Sequence, residues 1–200
     1  MKRIVERGYD AIAQRYLEWS AQIADDPRLR YLAEFDRRLP NGAKVLELGC
    51  GAGVPCGREL AVRHDVLGVD LSQRQVELAR ANVPGARFEK GDMTVLDFDE
   101  GTFDGVAAFY SILHVPQAEQ SGLIARIARW LKPGGLFLAS LGTGTPDVTE
   151  SWLGVEMFFG SNTPDVNREL LAEHLEIVVD DLVTMHEPEP AMFHWIIARK

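Results

Sequence analysis

Val45-Leu46-Glu47-Leu48-Gly49-Cys50-Gly51-Ala52-Gly53 is the stretch on which the fold of this chain turns. Lys44–Leu48 is a short apolar run with one acid, and Pro40-Asn41-Gly42 ahead of it signals a turn. Gly49, Gly51 and Gly53 follow. Glycine lets a chain bend sharply after a strand and brings its backbone close to a ligand with no Cβ in the way. A helix predicted from about Val54 to Arg63 offers unpaired N–H groups at its start.

The pattern repeats downstream. Asp65–Val69 reads as a second strand closed by Asp70, and Ser72 is placed to cap a helix running to about Asn82. Ala86–Phe88 and Phe103–Phe109 read as the third and fourth strands, the latter with an unbroken apolar run from Val106. Leu123, Ile124, Ile127, Trp130 and Leu131 keep helical spacing, so residues 117–131 form a packed helix ended by Pro133-Gly134-Gly135. Leu136–Leu141 is the fifth strand. Strand alternating with helix predicts an α/β fold: a doubly wound, mostly parallel, seven-stranded sheet with helices on both faces. The flanks differ. Residues 1–39 read as two helices, the second starting at Asp26 or Pro27. Residues 142–163 read as loop or short helix and Pro164–His174 as helix. Leu175–Met185 and Met192–Arg199 read as an antiparallel hairpin at one sheet edge.

The 200 residues suit one domain. We expect a helical lid over residues 1–39, a ligand-binding core over 40–141 and a substrate cap with C-terminal strands over 142–200. A formal charge of -9 opposes a polyanionic partner, so nucleic acid is not expected as substrate. No apolar run approaches the roughly 20 residues that span a bilayer. The N-terminal 30 residues mix charged and apolar positions and do not form a secretory signal, so the expectation is a cytoplasmic protein, monomer or homodimer. Cys50 and Cys56 fit neither a zinc nor a redox spacing and read as free thiols. No His/Asp/Glu cluster has ligand spacing, so no metal is implied.

Several stretches together resemble the class I S-adenosylmethionine-dependent methyltransferases. Val45–Gly53 is similar to that family's first motif. Gly68-Val69-Asp70-Leu71-Ser72, Gly91-Asp92-Met93, Phe103-Asp104-Gly105-Val106 through His114, and Leu131-Lys132-Pro133-Gly134-Gly135-Leu136 are similar to its later motifs, in order. Tyr9-Asp10-x-Ile12-Ala13-x-x-Tyr16 matches more loosely. The resemblance implies S-adenosylmethionine as cofactor, S-adenosylhomocysteine as product and a site built from Tyr16, Glu47, Gly49, Cys50, Gly51, Gly53, Asp70, Leu71, Asp92, Met93, Phe109 and Tyr110. Asp70, at a strand end, suits the ribose hydroxyls as the acid of dinucleotide folds does. By resemblance Asp92 receives the adenine amine, Met93 lends a backbone N–H, Glu47 orients the glycine turn and the ammonium, and the two aromatics pack near the methionine portion. A nicotinamide fingerprint would read G-x-G-x-x-G. Here the third glycine comes one residue early, which speaks against a nicotinamide oxidoreductase. A binder without turnover stays open. A protein- or nucleic-acid-directed enzyme also stays open, although no Asn-Pro-Pro-Tyr-type tetrapeptide follows the fourth strand.

The implied reaction is methyl transfer to O or N of a small, partly apolar molecule. Alignment supplies much of the rate, so a general base is optional. His114 follows the fourth strand, where it serves either as base or as a structural histidine at a helix start. Glu187, with His186, lies between the last two strands and is a second base candidate or simply exposed. His194 alternates with Phe193 and Trp195 and reads as structural. Tyr9 and Trp19 at the N-terminus, and Trp152, Met157 and Phe158 in the cap segment, are candidates to line the acceptor pocket or to seal the sheet edge.

Overall fold

A computed structural model describes residues 1–23, 26–185 and 190–200. Helices α1 (Lys2–Ser20) and α2 (Arg28–Arg38) lead into an alternating series. It comprises β1 (Lys44–Leu48), α3 (Cys56–Ala61), β2 (Asp65–Asp70), α4 (Gln73–Asn82), β3 (Arg87–Lys90), β4 (Phe103–Ala108), α5 (Gln117–Trp130) and β5 (Leu131–Leu141), with a 3-10 turn at Ile112–His114. Then come β6 (Val148–Trp152), β7 (Val155–Phe159), α6 (Pro164–Ala172), β8 (Glu176–Met185) and β9 (Ala191–Arg199).

Seven strands form one sheet in the order β3-β2-β1-β4-β5-β9-β8, with β9 running antiparallel to its neighbours. The strand order reverses between β1 and β4, so a crevice opens beyond their carboxyl ends. Both strands are apolar along most of their length because both sheet faces are covered. On one face, Leu123, Ile124 and Ile127 of α5 pack on Leu48, Val106 and Phe137. On the other, Tyr31, Leu32 and Phe35 of α2 and Leu60 of α3 pack on Val45, Ala107 and Leu138. Among the described residues no helix is long and apolar enough to cross a membrane.

The expected sheet is present, and two local readings change. Residues 142–163, expected as loop or short helix, contain the β6–β7 hairpin. Its connection is Leu153-Gly154, both in the left-handed region (φ 47 and 76), the geometry of a two-residue hairpin turn. Pro133-Gly134-Gly135 does not separate helix from strand: β5 already pairs Leu131 with Phe103, and the triplet is a register irregularity before Leu136 rejoins at Gly105. The last hairpin lies at one sheet edge as expected, with its second strand inside and β8 outermost.

The two N-terminal helices do different work. α2 is part of the core, whereas α1 lies against β7 through Val5, Ile12, Met157 and Phe158. Polar contacts tie α1 to the sheet side. Asp10 accepts from Ser72 Oγ (2.6 Å) and from the Arg74 N–H (3.2 Å), placing a carboxylate at the start of α4 where the helix dipole favours it. Glu6 pairs with Lys90. Gly8 sits where α1 meets β7, and a Cβ there would stand 2.7 Å from Met157 Cε and 3.1 Å from the Glu156 carbonyl oxygen. We therefore expect Gly8→Leu to lose about 1–3 kcal/mol by overpacking, with faster limited proteolysis within α1. Unchanged denaturant midpoint and cleavage rate would show that α1 does not pack there.

Candidate functional site

The site begins at the glycine turn after β1. Gly49 has φ 71, and a Cβ on it would lie 2.3 Å from Ser111 Cβ, so only glycine fits. Gly51 has φ 52, and its bare Cα faces open space, with Gln75 Oε1 the nearest atom to a built Cβ at 4.0 Å. The turn is held from the side by Asp70 at the end of β2. One carboxylate oxygen accepts the Gly51 N–H (2.9 Å) and the other the Ser72 N–H (2.9 Å). Burial raises the Asp70 pKa to about 6, with those N–H groups restraining the rise.

Glu47, on β1, is 3% exposed, and its Oε2 has no hydrogen-bond partner. Burial pushes its pKa up to about 8; the positive charge of Arg28 opposes the shift and the charge of Asp70 adds to it. Asp92 follows β3. Its Oδ1 accepts from the Thr94 N–H (2.8 Å) and hydroxyl (2.7 Å), and Oδ2 faces Lys2 Nζ at 3.2 Å. Burial would raise its pKa, but the bonds from Thr94 and Lys2 outweigh that and lower it.

Two chambers open from these residues. The inner one, about 100 Å³, is lined by Glu47, Gly49, Cys50, Gly51, Asp70, Leu71, Asp92, Met93 and Phe109, and α1 covers it through Lys2, Val5 and Tyr9. The outer one, about 590 Å³, lies between α1, the β6–β7 hairpin and the ends of β5 and β9. Tyr9, Tyr16, Ser20, Arg28, Tyr110 and His114 border both. Tyr110 takes a left-handed backbone (φ 52), rare for an aromatic residue, and its N–H is fixed by Ser140 Oγ at 2.7 Å.

At this junction His114 Nδ1 lies 2.8 Å from the Phe158 carbonyl and Nε2 lies 2.8 Å from the Tyr9 hydroxyl. A carbonyl only accepts, so Nδ1 carries the proton. Nε2 then accepts from Tyr9 O–H. Burial lowers the His114 pKa to about 4, so the ring is neutral at pH 7. Burial also raises the Tyr9 pKa well above its ordinary value.

Residues 45–135 match the methyltransferase domain family. Across 93% of its length the chain is 27% identical to sterol 24-C-methyltransferase ERG6 of Saccharomyces cerevisiae, and it spans 44% of that protein. The crystal structure of a TehB-like S-adenosylmethionine-dependent methyltransferase from Corynebacterium glutamicum superposes with a TM-score of 0.70 at 25% identity, covering 97% of this chain and 99% of that one. The Burkholderia thailandensis 1,6-didemethyltoxoflavin-N1-methyltransferase, solved with 1,6-didemethyltoxoflavin and S-adenosylhomocysteine bound, gives 0.74 at 23% identity, covering 98% and 86%. The chain spans less than half the length of the sterol methyltransferases it matches.

Residues 45–135 thus carry a methyltransferase domain, in a fold shared with S-adenosylmethionine-dependent methyltransferases.

The inner chamber of the methyltransferase domain fits that cofactor. The unpartnered Glu47 oxygen answers an ammonium. Asp70 keeps lone pairs for a diol beside the open face of Gly51. Asp92 can receive an amine only by sharing Oδ2 with Lys2. Of the residues expected around the cofactor, Tyr16, Glu47, Gly49, Cys50, Gly51, Asp70, Leu71, Asp92, Met93, Phe109 and Tyr110 border the inner chamber. Gly53 does not; a Cβ on it would stand 3.2 Å from Ala79 and from Phe88, so its bare Cα lets α4 approach. Cys50 and Cys56 are buried free thiols, and burial raises the pKa of both.

Of the residues expected to line the acceptor pocket, Tyr9, Trp19 and Trp152 border the outer chamber. Met157 and Phe158 do not. β7 is covered by α1 on one side and meets the 3-10 turn on the other, so both side chains are sealed in, at 0% and 2% exposure. His194 is structural as expected, bound to Asp180 at 3.0 Å. Glu187 and His186 lie outside the described residues. Sequence reading passed over two site residues. Gln75, on the buried side of α4, has no partner on either amide atom and borders the inner chamber. Arg28, in the first turn of α2, borders both chambers and pairs with Asp26 at 2.5 Å. A lone polar residue beside Val76 and Ala79, and an arginine just after Asp26-Pro27, were the signals available.

Glu47 yields a prediction of defined sign. With a pKa near 8 it is protonated at pH 7, and a cationic ligand favours its ionised form. Binding of S-adenosylmethionine at pH 7 should therefore release about one proton and tighten between pH 6 and 8. Calorimetry in buffers of different ionisation enthalpy reads this directly. Glu47→Gln should bind at least about tenfold more weakly and release no proton. Equal release by both proteins would contradict the assignment.

Proposed function

We propose that this chain transfers a methyl group from S-adenosylmethionine to an oxygen or nitrogen of a small molecule held in the outer chamber. One observation carries the reading: an inner chamber fitted to the cofactor and an outer chamber open to a second molecule meet at Tyr9, Tyr16, Tyr110 and His114. S-adenosylmethionine supplies an activated methyl on a sulfonium. The rest falls to the chain's own groups. The shared wall aligns two reactants and excludes water, an effect worth roughly 7–11 kcal/mol when geometry is good.

The Tyr9–His114 pair supports an acceptor that carries a proton. The Tyr9 hydroxyl donates to Nε2 and keeps its lone pairs for an incoming O–H or N–H. That proton moves onto Tyr9 oxygen as the phenolic proton moves to His114. The proton rests on His114 Nε2, a weak base, and returns through the Tyr9 oxygen to solvent as the product leaves, so the pair assists and alignment dominates. The related yeast enzyme is named for methylation at carbon, where the acceptor needs no such pair before transfer.

We expect His114→Asn and Tyr9→Phe each to lower kcat by about 10²-fold, with little change in the Kd for S-adenosylmethionine. The test of the function itself is incubation with methyl-labelled cofactor and a metabolite extract. Label should appear in a small molecule, on O or N. Label confined to protein or RNA would reject the reading, and a methyl found on carbon would reject the O/N assignment alone.

A further inference from the structure

Part of the outer chamber's lining is an aromatic wall. Trp152 of β6 is its hub, with ring centroids of Tyr16, Trp19 and Phe159 at 5.7, 5.5 and 5.9 Å and that of Tyr9 at 6.2 Å. The four rings pack edge-on or tilted around Trp152, so the wall joins α1 to the β6–β7 hairpin as one apolar surface. The rest of the lining is more polar: Gly142, Thr143, Thr145 and Ser161, with Met192 and Phe193 of β9. An aromatic surface of this extent suits a flat ring packed against it.

Charge in the chamber is one-sided. Among the described lining residues only Arg28, Glu150 and His114 are ionisable other than the tyrosines. His114 is neutral at pH 7 and offers its lone pair to Tyr9. Arg28 is already bound by Asp26 through Nε and Nη2, both at 2.5 Å. Among the described lining residues the chamber therefore keeps no uncommitted cation, and it opens on a chain of charge -9. Burying a phosphate or carboxylate there would leave the anion unpaired.

Resting on the function proposed above, we infer that the methyl acceptor is a flat ring compound without negative charge, held against the Trp152 wall, and that phosphorylated or carboxylated metabolites are rejected. Selection comes from the absence of a partner for the anion as much as from the aromatic surface.

The test uses the full chain with S-adenosylhomocysteine present and one ring in two charge states: 2-naphthol and naphthalene-2-sulfonate, titrated by calorimetry at pH 7. 2-Naphthol should bind at least about tenfold more tightly than the sulfonate, about one decade in Kd. Trp152→Ala should weaken 2-naphthol at least about tenfold while leaving S-adenosylhomocysteine affinity unchanged, and Trp152→Phe should restore most of it. Thr145→Lys, adding a cation to the polar lining, should narrow the preference against the sulfonate. Equal or tighter sulfonate binding by the wild type would overturn the inference, as would 2-naphthol affinity indifferent to Trp152→Ala. Failure of S-adenosylhomocysteine itself to bind would instead sink the underlying function, so the two failures are distinguishable.

Discussion

The carboxylate of Asp70 is the node on which the site is hung. It takes the N–H of Gly51 with one oxygen and the N–H of Ser72 with the other, joining the turn after β1 to the start of α4. Ser72 extends the connection: its hydroxyl accepts the Gln75 N–H to cap α4 and donates to Asp10 of α1. One short chain of hydrogen bonds thus fixes the glycine turn, the following helix and the helix that covers the inner chamber. Each bond involves an ionised acceptor or a helix start, where such bonds are at their strongest. Removing the carboxylate would leave buried N–H groups unpaired at two places at once.

The two chambers differ in what they ask of a ligand. The inner one presents carboxylates in sequence, Glu47, Asp70 and Asp92, along the rim of β1, β2 and β3. That row suits a molecule with an ammonium, a diol and an amine at successive positions. The outer one presents rings and hydroxyls. Between them stand residues locked by their neighbours: Tyr9 by His114, His114 by the Phe158 carbonyl, Tyr110 by Ser140. A junction built of fixed side chains is what transfer by alignment requires, since small misplacements there cost rate steeply.

The core was legible because its signals are local. Apolar runs specify β1, β2, β4 and β5, and Ser72 caps α4 as its position predicts. The acidic residues at strand ends were legible for the same reason. The β6–β7 hairpin was not. Its strand Val148-Thr149-Glu150-Ser151-Trp152 is mostly exposed and weakly apolar, and the turn glycine is preceded by leucine rather than the usual asparagine or aspartate. The burial of Met157 and Phe158 depends on where α1 lies, a contact between segments some 150 positions apart that no local pattern encodes. Arg28 and Gln75 were hidden likewise: each looks like an ordinary helix residue until the chamber beside it is seen.

The most direct measurement of the central claim is a crystal structure of the chain with S-adenosylhomocysteine. The account predicts ribose hydroxyls on Asp70 and the ammonium beside Glu47, with the sulfur facing Tyr9 and Tyr110 at the boundary of the two chambers. A ligand lying elsewhere, with Asp70 touching only Gly51 and Ser72 and Glu47 still unpaired, would contradict it.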